Sequence, residues 1–273
     1  MNRMNKPFLC SDFSKRHHHQ NEPSENQPLK YSPLEESKTH IDDLYFKAFR
    51  AVNDRAACMK FIEGHTHVLE IFGITQITSA KIDWVLNPNV YVILVSAEKD
   101  GKALAGSRIH VADRKTPLPI EFAVGDMDNR IYDMVEDRTD AGTGEFCGLW
   151  NSYEIAGLGI GSMQLSIASV AFAGLINLDT LFGLCAPATY RNSIRGGFRV
   201  INEIGINGKF YYPKEDLTAT SIVIDDVKNL PLTYDDVRVN IMSLRENPIS
   251  SQQMESKSGE IVNLHFDLKL DTL

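Results

Sequence analysis

Cysteine is scarce in this chain and never paired in sequence. Cys10, Cys58, Cys147 and Cys185 stand far apart with no Cys-x-x-Cys among them, which excludes a zinc ribbon and supplies no disulfide framework. They read as reduced thiols, and a cytoplasmic protein is expected. Long apolar runs are missing too: the best, residues 163–178, is interrupted by Gln164, Ser166 and Ser169. A bilayer span needs ~20 apolar residues, so no integral membrane segment is expected. Positive charge is in deficit, with 28 Lys and Arg against 36 Asp and Glu and a net charge of -8. That balance argues against nonspecific binding of nucleic acid or anionic lipid, which both need a basic surface. Small molecules or a carrier protein remain as partners.

What the chain does contain divides into three parts. Residues 1–40 are rich in Asn, Glu, Ser, Pro and Lys and predict a disordered polar head. His17, His18 and His19 within it read as a solvated run. Residues 41–230 carry the ordered pattern: a strand in "LYFKAFRAV", helical spacing through Ala57, Phe61, Val68 and Ile71, and a short helix over "SAKIDWVL". A hairpin of "VYVILVSAE" and "ALAGSRIHVA" follows. His65 and His67 are two apart and point to different faces of a helix, so no metal site is expected. Residues 231–273 form a C-terminal extension, polar except for the alternation in "IVNLHFDLKL", which suits an added strand.

The most informative stretch runs from Gly144 to Phe198. It reads as strand, glycine-rich turn, helix, strand and short helix, ending in Gly-Phe. Gly157, Gly159 and Gly161 fall where the strand hands over to the helix, so backbone amides can approach a phosphate without a Cβ in the way. A dinucleotide fingerprint is excluded because Ser162 stands where its third glycine is required. A P-loop is excluded because the turn has no lysine. A pyrophosphate cradle of another kind remains.

This order of elements resembles the GNAT superfamily of acyltransferases. "IAGLGIGSM" resembles the acyl-coenzyme A loop of that family, with Gly159 and Gly161 in its two small positions and Ala156 where a basic or amide residue usually stands. "RGGFRVI", Arg195 to Ile201, resembles the motif that closes on Gly-Phe. Two positions depart from the pattern: Ala186 stands in place of a frequent Asn, and Ser193 in place of the frequent general-acid Tyr. Tyr190, one helical turn earlier, is the nearest substitute, against the alternative of an amphipathic Tyr half-buried on its helix. Within the superfamily the layout is similar to acyl-homoserine lactone synthases and N-acyl amino acid synthases. The likeness lies in the long segment "VADRKTPLPIEFAVGDMDNRIYDMVEDRTDAGTGE" between the third and fourth strands, which in that group covers the acyl side of the cleft.

The resemblance implies a mixed, mostly antiparallel α/β sheet, splayed between strands 4 and 5 and flanked by helices. It implies donor contacts along the backbone at Leu149, Trp150 and Asn151 and through the turn from Ala156, Gly157, Leu158, Gly159, Ile160 and Gly161 to Ser162. The donor would be an acyl-CoA or acyl-carrier-protein thioester, with acyl carrier protein a candidate partner and no metal. The acceptor would be the amine of a small molecule such as an amino acid. An ammonium must lose a proton before it attacks a thioester, so a buried carboxylate is needed. Glu145 is the first candidate and Glu121 the second, each also readable as a structural glutamate. Arg108 is a candidate to hold an acceptor carboxylate bidentately, with a surface strand arginine as the alternative. An ordinary acetyl-CoA-dependent N-acetyltransferase and a catalytically silent acyl-thioester sensor are the competing readings. In the cover segment, Leu118, Ile120, Phe122, Ile131, Met134 and Val135 are expected to pack over the strands and leave room for a lipid tail, with the alternative that they merely fill the core beneath a surface helix.

Overall fold

A computed structural model of the protein describes residues 40–270 except 72, 75–81, 157 and 159. Residues 1–39, with Cys10 and the three histidines of the head, lie outside the described residues, as do Gly157 and Gly159. In chain order the elements are β1 (Asp43–Arg50), α1 (Arg55–Ile71), β2 (Val90–Ser96), β3 (Ala103–Val111), α2 (Pro119–Val124), α3 (Arg130–Glu136), β4 (Thr143–Asn151) and α4 (Tyr153–Ala156). There follow α5 (Gly161–Leu175), β5 (Thr180–Cys185), α6 (Pro187–Arg195), β6 (Arg199–Val200), β7 (Lys209–Tyr211), β8 (Thr218–Ile224), α7 (Asp235–Glu246), β9 (Ile249–Glu255) and β10 (Ile261–Asp267). The strands form one mixed sheet in the order β6-β8-β5-β4-β3-β2-β1-β10-β9, with β7 paired to β8. Among the described residues, only the β1–β10 and β4–β5 pairs are parallel.

The sheet separates two unlike faces. On one, α5 is buried almost all round because its sequence is apolar with only small or amide polar residues. It packs against Leu44, Phe46, Ile93, Ile109, Phe146 and Ile222 of the strands. Ser107 of β3 and Ser169 of α5 satisfy one another at 2.8 Å within this apolar layer. On the other face, α1 covers Val92 and Leu94 through Cys58 and Phe61. The segment between β3 and β4 covers Phe182 and Val223 through Leu118, Ile120, Ile131 and Val135.

Several elements differ from the sequence reading. The helix expected over 79–86 is a single 3-10 turn, Asp83–Leu86, among the described residues, and 79–81 lie outside them. After Phe198, where the sequence reading above assigns no element, the chain forms the two-residue β6, then β7 and β8. Phe122 does not bury with its neighbours; it is 51% exposed, because in a six-residue helix the inward positions are taken by Ile120, Ala123 and Val124. α7 has no counterpart in the sequence reading. Its buried residues Val237, Ile241 and Leu244 recur at i, i+4 and i+7, a helical signal diluted by the charges between them.

Candidate functional site

The site begins with a disruption of β4. Arg108 pairs with Cys147 and Gly106 with Trp150, so Gly148 and Leu149 together face Ser107. This is a β-bulge, and Gly148 adopts φ +58° to make it. A side chain there would be strained, and its Cβ would lie 2.9 Å from Arg108 Nε. Beyond the bulge β4 parts from β5. Their ladder stops at Phe146 opposite Gly183, whereas β4 runs on to Asn151. Residues 147–151 therefore form a strand edge no longer paired with β5, opening toward the end of β5 at Cys185.

The turn that follows links this edge to α5. Ala156 ends α4, Leu158 packs on the core, buried Ile160 caps α5, and Gly161 is its first residue. A Cβ on Gly161 would stand 2.6 Å from Asn151 Oδ1, so the strand end and the helix start touch only because position 161 is glycine. The Asn192 side chain of α6 donates to Ser162 Oγ at 3.1 Å, tying the helix after β5 to the start of α5. Tyr190, on the same α6, is 39% exposed. The Gly-Phe motif has a local cause: Gly197 turns at φ +98° directly against Thr233, which lets Phe198 bury and stack on Phe146 at 6.3 Å.

Beneath the splay, on the face opposite α5, β3 and β4 place four polar side chains in a row. His110 lies opposite Glu145, and Arg108 opposite Cys147. Glu145 is 2% exposed and its Oε2 accepts the Ile120 amide at 2.6 Å. Burial pushes its carboxyl up to about 8, against the pull of the Ile120 amide and of Arg108 and with the push of Glu121. Arg108 is 1% exposed, which overturns the reading of it as a surface strand arginine. Its guanidinium lies 4.5 Å from the Trp84 ring centroid and 5.4 Å from that of Phe61. It donates to the Cys147 thiol, and burial lowers its pKa against the fields of Cys147 and Glu145. Burial also drives the Cys147 thiol up to about 12 and His110 well below the usual histidine range, so one is a protonated thiol and the other a neutral imidazole at pH 7. The second candidate base is differently engaged. Glu121 Oε2 accepts the Leu118 amide at 2.6 Å, closing the first turn of α2, and burial raises its pKa.

Trp150 is 3% exposed and slots between two glycines: a Cβ on Gly64 of α1 or Gly106 of β3 would overlap its ring. It packs edge-on to Phe61 at 6.0 Å. Gly148 and His110 were absent from the sequence-predicted site. A glycine inside a strand pattern is the signal for the former; nothing local marks the latter. A groove of about 600 Å³ lined by Tyr45, Lys47, Lys60 and His265 lies apart, at the β1–β10 side of α1, and holds none of the predicted site residues.

No protein-family model matches the sequence, and a search of the curated proteins found no match. Among solved structures, the chain is similar to FeeM, an N-acyl amino acid synthase from uncultured soil microbes. The identity is 12% and the TM-score 0.52, over 72% of this chain and 97% of that one. It is also similar to the acyl-homoserine lactone synthase LasI, at 13% identity and a TM-score of 0.48 over 73% and 95%. The fold is GNAT-like. Its central sheet is mostly antiparallel and flanked by helices.

Proposed function

We propose that the protein is an N-acyltransferase that moves an acyl group from an acyl-CoA or acyl-carrier-protein thioester to the amine of a small acceptor such as an amino acid. The single observation that carries the reading is the unpaired edge of β4 at residues 147–151. A pantetheine arm bears two amides along an extended chain and suits such an edge as an added strand. Its diphosphate would then reach the turn from Ala156 through Leu158 to Ser162, and Leu149, Trp150 and Asn151 would contribute backbone rather than side chains.

The chemistry needs one proton removed and one restored. Glu145, raised to about 8, acts in its carboxylate form, whose share grows as pH rises toward 8, and in that form accepts a proton from the acceptor ammonium through water. The free amine attacks the thioester carbonyl, a C–N bond forms, the C–S bond breaks, and the departing thiolate takes the proton that the newly acylated nitrogen loses. Arg108 beside Glu145 attracts an acceptor carboxylate to the same end of the cleft. Mass spectrometry of lipid extracts from cells expressing the protein tests this reading: a new N-acylated amine supports it, and an unchanged extract counts against it.

A second reading has its own observation. Leu118, Ile120, Ile131 and Val135 are close-packed on Phe182, Ile201, Ile204 and Val223, as expected of a segment that fills a core rather than covering a lipid tail. This favours a short acyl group and an acetyl-CoA-dependent enzyme. Each methylene buried from a longer donor would add ~0.8 kcal/mol. Competition between acetyl and octanoyl thioesters therefore separates the two, with octanoyl ahead by orders of magnitude only if a tail pocket exists.

A further inference from the structure

Alternation along β10 sorts its side chains by face. Val262, Leu264 and Phe266 are buried in the α5 layer, so Asn263, His265 and Asp267 lie on the opposite face. Register then sets the neighbours of His265, with Ser251 of β9 on one side and Tyr45 of β1 on the other. The Tyr45 ring stacks on the imidazole, with centroids 4.6 Å apart and planes 17° from parallel. Ser251 Oγ lies 2.8 Å from His265 Nδ1, and Asp43 Oδ1 lies 2.7 Å from His265 Nε2. Asp43 is itself held: the hydrogen bond from His265, with a further one from Asn263, keeps its carboxyl below the usual carboxylate range.

These contacts fix the tautomer. An ionised carboxylate only accepts, so His265 Nε2 carries its proton toward Asp43, and in the neutral imidazole Nδ1 is left as an acceptor. The Ser251 hydroxyl is then the donor, with its proton already directed at a base, which is how a serine becomes a nucleophile. An electrophile can reach it, since Ser251 is exposed and the side chains of His265 and Asp43 are 32% and 35% exposed. Among the described residues β9 is the outermost strand, so alternate backbone amides along it point away from β10, beside Ser251, where they can receive a carbonyl oxygen that gains charge. His265 also borders the groove of about 600 Å³ lined by Tyr45, Lys47 and Lys60, which gives a substrate room beside the imidazole. We propose that Ser251, His265 and Asp43 form a catalytic centre that hydrolyses small carboxylic esters. Ser251 Oγ attacks the ester carbonyl and its proton passes to His265 Nδ1. The bond from Oγ to the acyl carbon forms, the bond from that carbon to the alcohol oxygen breaks, and the alcohol leaves with the proton from Nδ1. Water then cleaves the acyl-serine by the same route, giving the carboxylic acid and restoring Ser251. Asp43 acts through His265 as a positioning residue. The centre stands four strands from β4 in the sheet and does not depend on the thioester-donor reading above.

The test incubates the full chain with p-nitrophenyl acetate and, separately, with an alkyl fluorophosphonate, which phosphonylates an activated serine with loss of fluoride. Nitrophenolate release should fall by about 10²-fold or more in Ser251→Ala and in His265→Gln, and mass spectrometry should map the phosphonyl group to Ser251. Asp43→Asn should lower kcat by about tenfold or more at unchanged KM, as loss of a group that orients the base does. The labelling arm uses the unaltered chain alone and so does not depend on how any variant folds. Hydrolysis by Ser251→Ala as fast as by the unaltered chain, or a chain left unlabelled at Ser251, overturns the assignment.

Discussion

The two faces of the sheet differ in what they bury. The α5 face holds mostly apolar side chains, with small or amide polar groups among them: Ser107 matched to Ser169, and Gln164 and Ser166 of α5. The opposite face holds two apolar clusters with a row of ionisable groups between them: Arg108, His110, Glu145 and Cys147. Apolar burial alone stabilises a sheet, so the first face needs no further account. Buried charge costs free energy unless paired, and its retention is a mark of a working site. The comparison is the reason for placing the proposed chemistry on the second face.

Two substitutions, one on each face, should have the largest effects on stability. Arg108→Ala leaves Glu145 without its cation and vacates the space between Trp84 and Phe61, with an expected loss of ~3–5 kcal/mol. Phe172→Ala on the α5 face should cost a similar ~3–5 kcal/mol by cavity formation. The two differ in pH response: chemical denaturation between pH 5 and pH 9 should show a loss that varies with pH for Arg108→Ala and is flat for Phe172→Ala.

Glu145→Gln should lower turnover by about 10²-fold or more with donor binding retained, since the amide cannot take the ammonium proton. The same variant carries a stability signature. The folded carboxyl is raised to about 8 from its ordinary 4.5, so between those values the folded state holds a proton that the unfolded state has released. Stability attributable to this group is thus present below about pH 4.5 and falls as pH rises toward 8. Glu145→Gln should remove that slope, and thermal melting at pH 5 and pH 9 checks it.

Gly148→Ala comes next. It forces a Cβ into a left-handed residue 2.9 Å from Arg108 Nε, at an expected cost of ~1–3 kcal/mol. Turnover should fall with it, because the bulge sets the splayed edge. The smallest effect belongs to Tyr190→Phe. The residue is half-exposed, and loss of its hydroxyl should change stability by less than ~0.5 kcal/mol. A large fall in its kcat would instead give Tyr190 the protonation of the leaving thiolate.

Much of this comparison is legible in the sequence, for physical reasons. The all-apolar stretch of α5 and the buried strand "VYVILVS" announce the core face by composition. The succession of strand, turn, helix and strand from Gly144 to Phe198 sets the parallel β4–β5 pair, and Glu145 is visible as a glutamate at the head of a strand. The burial of Arg108 is not visible, because it depends on Trp84 and Phe61 arriving from elsewhere in the chain. The opposition of His110 to Glu145 depends on hairpin register, which local pattern does not set. The hydrogen bond from the Lys257 amide to the Leu158 carbonyl joins distant parts of the chain and depends on the placement of β10 beside β1, which no local pattern sets.

The central claim is that the splayed edge of β4 presents a thioester to an amine. Its most direct measurement is release of free thiol from acyl-CoA by the purified full chain, with and without candidate amino acids, followed by mass analysis of the product. The account predicts thiol release that requires the amine and yields one N-acyl product per thiol. Saturable donor binding with no amine-dependent release across acetyl and long-chain donors would contradict it and make the protein an acyl-thioester sensor.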